Sequence, residues 1–223
     1  MNGETTLDWL SSRRSVRQFT SEKIPREVLT RLIRASTTAP SSSNRQPWRF
    51  SVVTCPQIKE KITAAVQHRT QDIKTIIQAG HHAQDFGNYG DFFHEPLQES
   101  AALIIPQYRV MPDLIANLIE SGGGDPEQYH TASTMQAELC STSASIMALL
   151  LQAHAEGIGA CWMAGPMVAV SDICEILKIN KPWQMVGAVA LGYAVSQPEP
   201  KPRKPLERVV QWFTPTTEET AEV

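Results

Sequence analysis

The stretch YHTASTMQAELCSTSASIMALLLQAHAEGIGACWM, residues 129–163, decides the fold. Met135, Leu139, Thr142, Ile146, Leu149 and Ala153 recur at alternating four- and three-residue steps, which places them on one face of a helix. The spacing predicts a helix over 129–156, spanning roughly 42 Å at 1.5 Å per residue, the length of a whole domain. Its Ala and Ser content implies close packing on both sides, either as intramolecular core or as a dimer seam. Gly157 supplies the stop. Residues 158–163 (IGACWM) then read as a strand, so a long helix feeds directly into a sheet.

Upstream, residues 7–13 form a short helix, and a second helix follows Pro25, with Val28, Leu29, Leu32 and Ile33 sharing a face and Pro40 barring continuation. After a polar loop at 41–44, the alternating, β-branched residues 48–54 (WRFSVVT) read as a strand. Helical spacing returns over 57–79 through Ile58, Ile62, Val66, Ile73 and Ile77. Residues 80–98 are rich in Gly and aromatics without a period and read as a loop or short helix near a site. AALII at 101–105, closed by Pro106, is a strand buried on both faces. A helix at 112–120 ends before Gly122-Gly123-Gly124, and beyond residue 163 a short helix near 171–178 precedes a strand at 185–193.

Strands separated by helices, without tight hairpin signals, indicate an α+β (mixed α/β) layer structure, and the simplest organisation is one domain over 1–223. Residues 198–223 form a C-terminal extension, in which a Pro- and Lys-rich connector leads to an apolar run at 208–213. That run has little of its own chain left to pack on, and a strand crossing to a partner subunit explains it.

Of the 223 residues 42% are hydrophobic and 19% charged, which fits a globular chain and argues against disorder over most of its length. The net charge is only -3 and the basic residues are scattered, so no nucleic-acid footprint is expected. The N-terminus lacks the pattern of a signal peptide and no apolar run reaches membrane-spanning length, so the expectation is a cytoplasmic protein with no membrane partner. Cys55, Cys140, Cys161 and Cys174 contain no C-x-x-C pair and read as buried, reduced thiols. Six histidines show no H-E-x-x-H spacing, and adjacent His81 and His82 point different ways on a helix, so no metal site is expected. No G-x-S-x-G elbow or nucleophile–base pair appears, so no catalytic side chain is assigned. Gly157-Ile158-Gly159 follows a helix and precedes a strand, the reverse of a dinucleotide-binding turn.

Three separated patches carry chemistry. In Arg13-Arg14-Ser15-Val16-Arg17, guanidinium forks and a hydroxyl share one tight segment, and such forks grip phosphate with charge-assisted bonds worth roughly 1.5–3 kcal/mol each. Alone, the run is a solvated basic turn. Ala39 to Trp48 (APSSSNRQPW) is a polar loop pinned by prolines, whose hydroxyls and amides suit an oxygen-rich ligand such as a ribityl chain, or serve as an ordinary connector. Lys201-Pro202-Arg203-Lys204-Pro205 holds basic groups on a proline-stiffened segment that alone is a linker.

Together, RRSVR-x-F, APSSSNRQPWRF, GIGACWMAGP and LGYA...KPRKP resemble the nitroreductase family in order and spacing over nearly the whole chain, with residues 80–128 matching poorly. The resemblance implies a central antiparallel or mixed sheet flanked by helices, a C-terminal strand extension to the partner subunit, and a homodimer with FMN at the interface. It also implies NADH or NADPH as donor and a nitroaromatic, quinone, activated alkene or flavin as acceptor. By it, Arg13 and Arg203 bind the FMN phosphate, with Arg14, Ser15 and Lys201 beside them, and Arg17 sits near the flavin N1 and O2 edge, where its charge favours the reduced ring. Ser41, Ser42, Asn44 and Gln46 approach from the other subunit, with Pro40 shaping that wall. The backbone amides around Ala164 and Gly165 face the N5 and O4 side, and Trp162 and Met163 are further cofactor-binding residues. Trp162, Phe92, Phe93 and Tyr89 either line an open surface over the flavin or are core aromatics. One departure stands out: many family members place an Asn or Lys in mid-chain against the flavin pyrimidine, and Phe92 to Glu95 contains no Lys. Two other readings share these residues: a non-enzymatic FMN-binding or storage module, and a helical interaction protein without cofactor.

Overall fold

The computed structural model describes residues 3–80 and 90–214; His81, His82 and Tyr89 lie outside the described residues. The chain runs α1 (Gly3–Ser12), α2 (Arg26–Ser36), β1 (Trp48–Val53), α3 (Pro56–Gln78), α4 (Asp91–Glu99), β2 (Ala102–Arg109), α5 (Leu114–Ser121), α6 (Ala137–Ala155), β3 (Gly159–Met163), α7 (Val170–Leu177), β4 (Trp183–Met185) and β5 (Ala188–Gly192). Among the described residues the five strands form one sheet in the order β1-β2-β5-β3, with β4 on the distal half of β2, and every ladder is antiparallel.

The sheet is the middle of three layers. Successive side chains of a strand point to opposite faces: Leu103, Ile105, Cys161, Met163, Ala188 and Ala190 pack with Ile62, Val66, Leu97 and Ile173 from α3, α4 and α7. Ala102, Ile104, Ala160, Val189 and Leu191 pack on the other side with Leu29 and Leu32 of α2 and Ile146, Leu149 and Ala153 of α6. This double cover is why β2 and β5 read as unbroken apolar runs and not as alternating ones.

Three sequence expectations are corrected. The helix expected over 129–156 begins only at Ala137 and is about 28 Å long. In the stretch before it, Ser and Thr side chains compete for the backbone: Thr131 N–H donates to Thr134 Oγ1 (2.9 Å), Ser133 N–H donates to Asp113 Oδ2 (2.8 Å), and Gln136 takes φ 50°. Met135, counted on the packed face, is exposed, and Gly157 (φ 70°) follows the helix end. Second, the strand expected to close at Pro106 runs on to Arg109. Pro106 tolerates this because its carbonyl, accepting from Val186 N–H (3.0 Å), faces the gap between β5 and β4, where no ladder donor is needed from it. The strand expected over 185–193 divides at the same gap, at Gly187 (φ 109°), where a Cβ would stand 2.5 Å from the Met163 carbonyl oxygen. Third, only Cys161 is fully buried; Cys174 is half-buried and Cys55 and Cys140 are exposed, all four as free thiols.

Helices α2 and α6 are clamped at the surface by Arg31, whose Nε and Nη2 donate to the two carboxylate oxygens of Glu156 at 2.6 and 2.7 Å. This fork, with help from Gln152, holds the Glu156 carboxyl down to about 2 from an ordinary 4.5. A depressed carboxyl contributes stability that is present above its unfolded pKa and is lost as pH falls through the folded value. Arg31→Ala is therefore expected to make the loss of stability between pH 4.5 and about 2 shallower than in the wild type. Urea unfolding across that window checks it, and equal slopes would contradict the assignment. At neutral pH the effect is small, because the pair is solvent-screened.

Candidate functional site

The N-terminal segment between α1 and α2 has no ladder of its own and is stitched onto the edge of the sheet. Val16 N–H donates to the Ala160 carbonyl (3.1 Å), Thr20 N–H to Tyr193 (2.8 Å), and Val195 N–H donates back to Gln18 (3.2 Å). Val16 and Phe19 point into the core, which leaves Arg17 and Gln18 outward. The same bonds carry the chain after β5 alongside this segment.

The consequence is a cleft of about 520 Å³ lined by Arg13, Arg14, Ser15 and Arg17 from the first basic patch and by Lys201 and Arg203 from the third. Two patches almost 190 residues apart in sequence are thus brought together, with Pro198, Glu199 and Pro200 completing the wall. Glu199 is the carboxylate among these residues, yet none of the four arginines or Lys201 forms an ion pair with a described residue. Arg14 is partly committed: its Nη1 donates to the carbonyls of Ser11 (2.6 Å) and Arg13 (3.0 Å), closing the C-terminal end of α1. Arg17 Nη1 donates to the Ser15 carbonyl (3.3 Å). Burial pushes the Cys161 thiol up, while the charges of Arg17 and Arg13 act in the opposite direction, so the positive field reaches β3. A phosphate, with several acceptor oxygens and about two negative charges, fits such a set of uncompensated forks.

The second patch does not join this cleft within one chain; no residue of 40–47 lines it. It forms a tight turn in which Ser43, Asn44 and Gln46 all take positive φ (51°, 52° and 48°). Left-handed backbone costs a non-glycine residue about 1–2 kcal/mol, so neighbouring contacts must hold it. Ser41 Oγ accepts from Gln46 N–H (3.0 Å), and Ser42 N–H donates to Ser141 Oγ of α6 (3.3 Å). Arg45 turns inward, its Nη1 3.3 Å from Oε1 of the buried Glu138 and 3.1 Å from the Pro112 carbonyl. Asn44 and Gln46 are exposed on either side of it, and Pro40 is exposed ahead of the turn. Arg45 and Glu138 were not among the sequence-derived site residues; the charged residue inside an otherwise polar loop was the available signal.

At the far end of β3, Met163 is buried and Trp162 is 39% exposed, its Nε1 donating to the Val186 carbonyl (3.0 Å). Ala164 precedes a 3-10 turn, Gly165–Ala169. The open side of Gly165 is taken by the Phe93 ring, which a Cβ would meet at 2.2 Å, and Phe92 packs edge-on against Phe93 with ring centroids 4.7 Å apart. Phe92 itself is exposed. Among the described residues no helix is long and apolar enough to cross a membrane, and no group of three or more His, Cys, Asp or Glu side chains could hold a metal ion.

Fold and cleft together define an α+β protein whose antiparallel sheet carries a basic cleft along its β3 edge. Residues 10–193 match the Nitroreductase family, and the chain belongs to that family. An iodotyrosine deiodinase of Haliscomenobacter hydrossis is 34% identical over 109 residues, 47% of this chain and 49% of that protein, so the chain's match spans about half the length of this curated relative. A BluB-like flavoprotein from Clostridium difficile 630 shares the fold with a TM-score of 0.81 at 21% identity, covering 94% of this chain and 99% of that one. The fold is shared too with an iodotyrosine deiodinase solved with FMN and 3-iodo-L-tyrosine (TM-score 0.69, 19% identity, 93% and 98% covered).

At matched ionic strength, inorganic phosphate is expected to raise the unfolding temperature above that in chloride by more in the wild type than in the Arg13→Ala, Arg203→Ala double variant, which keeps only the general salting effect of phosphate. Each lost charge-assisted bond is worth roughly 1.5–3 kcal/mol. A thermal scan in which the double variant responds like the wild type would show that Arg13 and Arg203 hold no phosphate.

Proposed function

We propose that this chain is an FMN-dependent oxidoreductase that works as a cytoplasmic homodimer, drawing electrons from NADH or NADPH and passing them to a small-molecule acceptor such as a nitroaromatic, a quinone or an activated alkene. The observation that carries the reading is the cleft in which Arg13, Arg17, Lys201 and Arg203 converge without ion-pair partners among the described residues, in a chain of the nitroreductase family. The solved relative of this fold that holds FMN supports it.

FMN, when bound, supplies the two-electron redox chemistry, so the protein needs no nucleophile or acid–base pair of its own. The chain's residues do the rest. Arg13 and Arg203 grip the phosphate, with Ser15 and Lys201 as further donors and Arg14 fixing the end of α1 behind them. Arg17 keeps positive charge beside the ring. Trp162, Met163 and the amides of Ala164 and Gly165 border the ring on the β3 side. Ser41, Ser42, Asn44 and Gln46, behind Pro40, come from the second subunit, because within one chain they lie apart from the cleft.

The homodimer has independent support. β1 is an edge strand, and beside it opens a groove of about 1010 Å³ lined by half-buried Ile33 and exposed Val52, where Lys23, Arg26, Arg34 and Lys59 outnumber Glu99. In the C-terminal extension Val209, Trp212 and Phe213 are exposed within the described residues, and the sequence beyond them carries Glu218, Glu219 and Glu222. An apolar segment followed by acids complements a groove with apolar and basic lining, and an unpaired edge invites a strand. In this reading the extension of one subunit lies along β1 of the other.

A second reading of the acceptor is favoured by the match to an iodotyrosine deiodinase: a halogenated tyrosine, with the carbon–halogen bond reduced by two electrons and a proton and halide released.

The test is to incubate purified protein with excess FMN, desalt it thoroughly, record the visible spectrum, and assay NADH and NADPH oxidation with menadione, nitrofurazone and 3-iodo-L-tyrosine in turn. Retained, protein-perturbed flavin bands with turnover of at least one acceptor are expected. Retained flavin with no turnover would leave a flavin-storage module; a colourless protein would leave an interaction protein. Iodide release from 3-iodo-L-tyrosine under reduction selects the dehalogenating reading.

A further inference from the structure

We propose that the Arg45–Glu138 ion pair is a positioning device for the flavin-facing wall, locking the strained turn at 43–46 in the one shape that directs Asn44 and Gln46 outward. The inference rests on the reading of this site as FMN-binding. Neither residue lines the basic cleft.

The geometry makes Arg45 the pivot of the turn. Its neighbours Asn44 and Gln46 are exposed and left-handed, and Arg45 between them is the side chain that reaches inward. A shift of the Arg45 backbone carries both flanking amides with it. The turn's other ties are Ser41 Oγ to its own loop, Ser42 N–H to Ser141 Oγ of α6 at the same 3.3 Å as the ion pair, and the Pro47 carbonyl accepting from Arg109 N–H (3.1 Å) just beyond the turn. Among the described residues the ion pair is the turn's charged link to the rest of the molecule, and its carboxylate is buried.

Its far end is built for the task. Glu138 lies in the first turn of α6, where unpaired helix amides favour a negative charge, and its side chain is only 6% exposed. A carboxylate so placed is costly to leave without a partner, which makes the attachment of Arg45 hard to release. The same guanidinium donates to the Pro112 carbonyl, immediately before Asp113. Asp113 caps α5 by accepting from Ala116 N–H and also accepts from Ser133 N–H and Oγ, in the stretch that leads into α6. Turn, start of α5 and lead-in to α6 are thereby one polar unit with Arg45 at its centre, and a cofactor wall on the turn inherits the rigidity of α6.

The test measures the FMN dissociation constant by flavin fluorescence, and the thermal unfolding of the apoprotein, for wild type, Arg45→Met, Glu138→Gln and the double variant. Each single substitution is expected to raise the FMN Kd at least about tenfold, and the double variant to be no worse than the poorer single one, because both remove the same tie. Adding Ser43→Gly to Arg45→Met is expected to restore part of the affinity, since glycine adopts the left-handed shape without strain. A Kd unchanged in both single variants, with only the unfolding temperature lowered, would overturn the proposal by showing a purely structural pair; so would strictly additive losses. Should Arg45→Met not fold, Glu138→Gln, which keeps the size and removes the charge, decides alone: a raised Kd supports the proposal and an unchanged one overturns it. A wild type that fails to bind FMN would instead sink the cofactor reading, and this inference with it.

Discussion

The backbone bond from Val16 N–H to the Ala160 carbonyl, with its companions at Thr20 and Val195, is the constraint on which the site depends. These bonds fix a segment without regular structure against β3 and β5, and they bring the chain after β5 alongside it. Close approach is possible because the neighbouring positions on the strands are small: at Gly192 a Cβ would stand 2.7 Å from the Phe19 ring. Without this seam, Arg13 and Arg17 would be scattered surface charges and Lys201 and Arg203 part of a linker. With it, they surround one cleft.

A second constraint acts at the other basic-polar element. The turn at 43–46 accepts left-handed backbone at three non-glycine positions, and the contacts around it keep that shape. Strain held in this way presents side chains in a fixed direction without requiring a helix or strand beneath them. The cleft and the turn lie apart within one chain, and this separation is why a second subunit enters the proposed function.

Much of this was legible in the sequence. The α+β class, the helices at α2, α3 and α7, and the strands β1 and β3 followed from apolar periodicity, β-branched composition and proline punctuation. The failures share a cause, local signals overridden by side-chain bonds or by position in the sheet. Thr131, Ser133 and Asp113 divert the chain from the helix that the apolar spacing through Met135 implied. Pro106 sits where β2 changes partners and so does not end the strand. The basic patches at 13–17 and 201–203 were visible as residues, and the cleft that unites them is now visible as geometry. The Arg45–Glu138 pair could not be read, since its partners are 93 positions apart and neither belongs to an apolar pattern.

In the proposed function the phosphate is the handle by which the chain holds FMN. The most direct measurement compares the affinity of the wild-type protein for FMN and for riboflavin, which differ by that phosphate alone, at one ionic strength. Two or more charge-assisted bonds of roughly 1.5–3 kcal/mol predict FMN binding tighter by at least about a hundredfold. Equal affinities would mean that the cleft of Arg13 and Arg203 does not hold the phosphate, and would contradict the central claim.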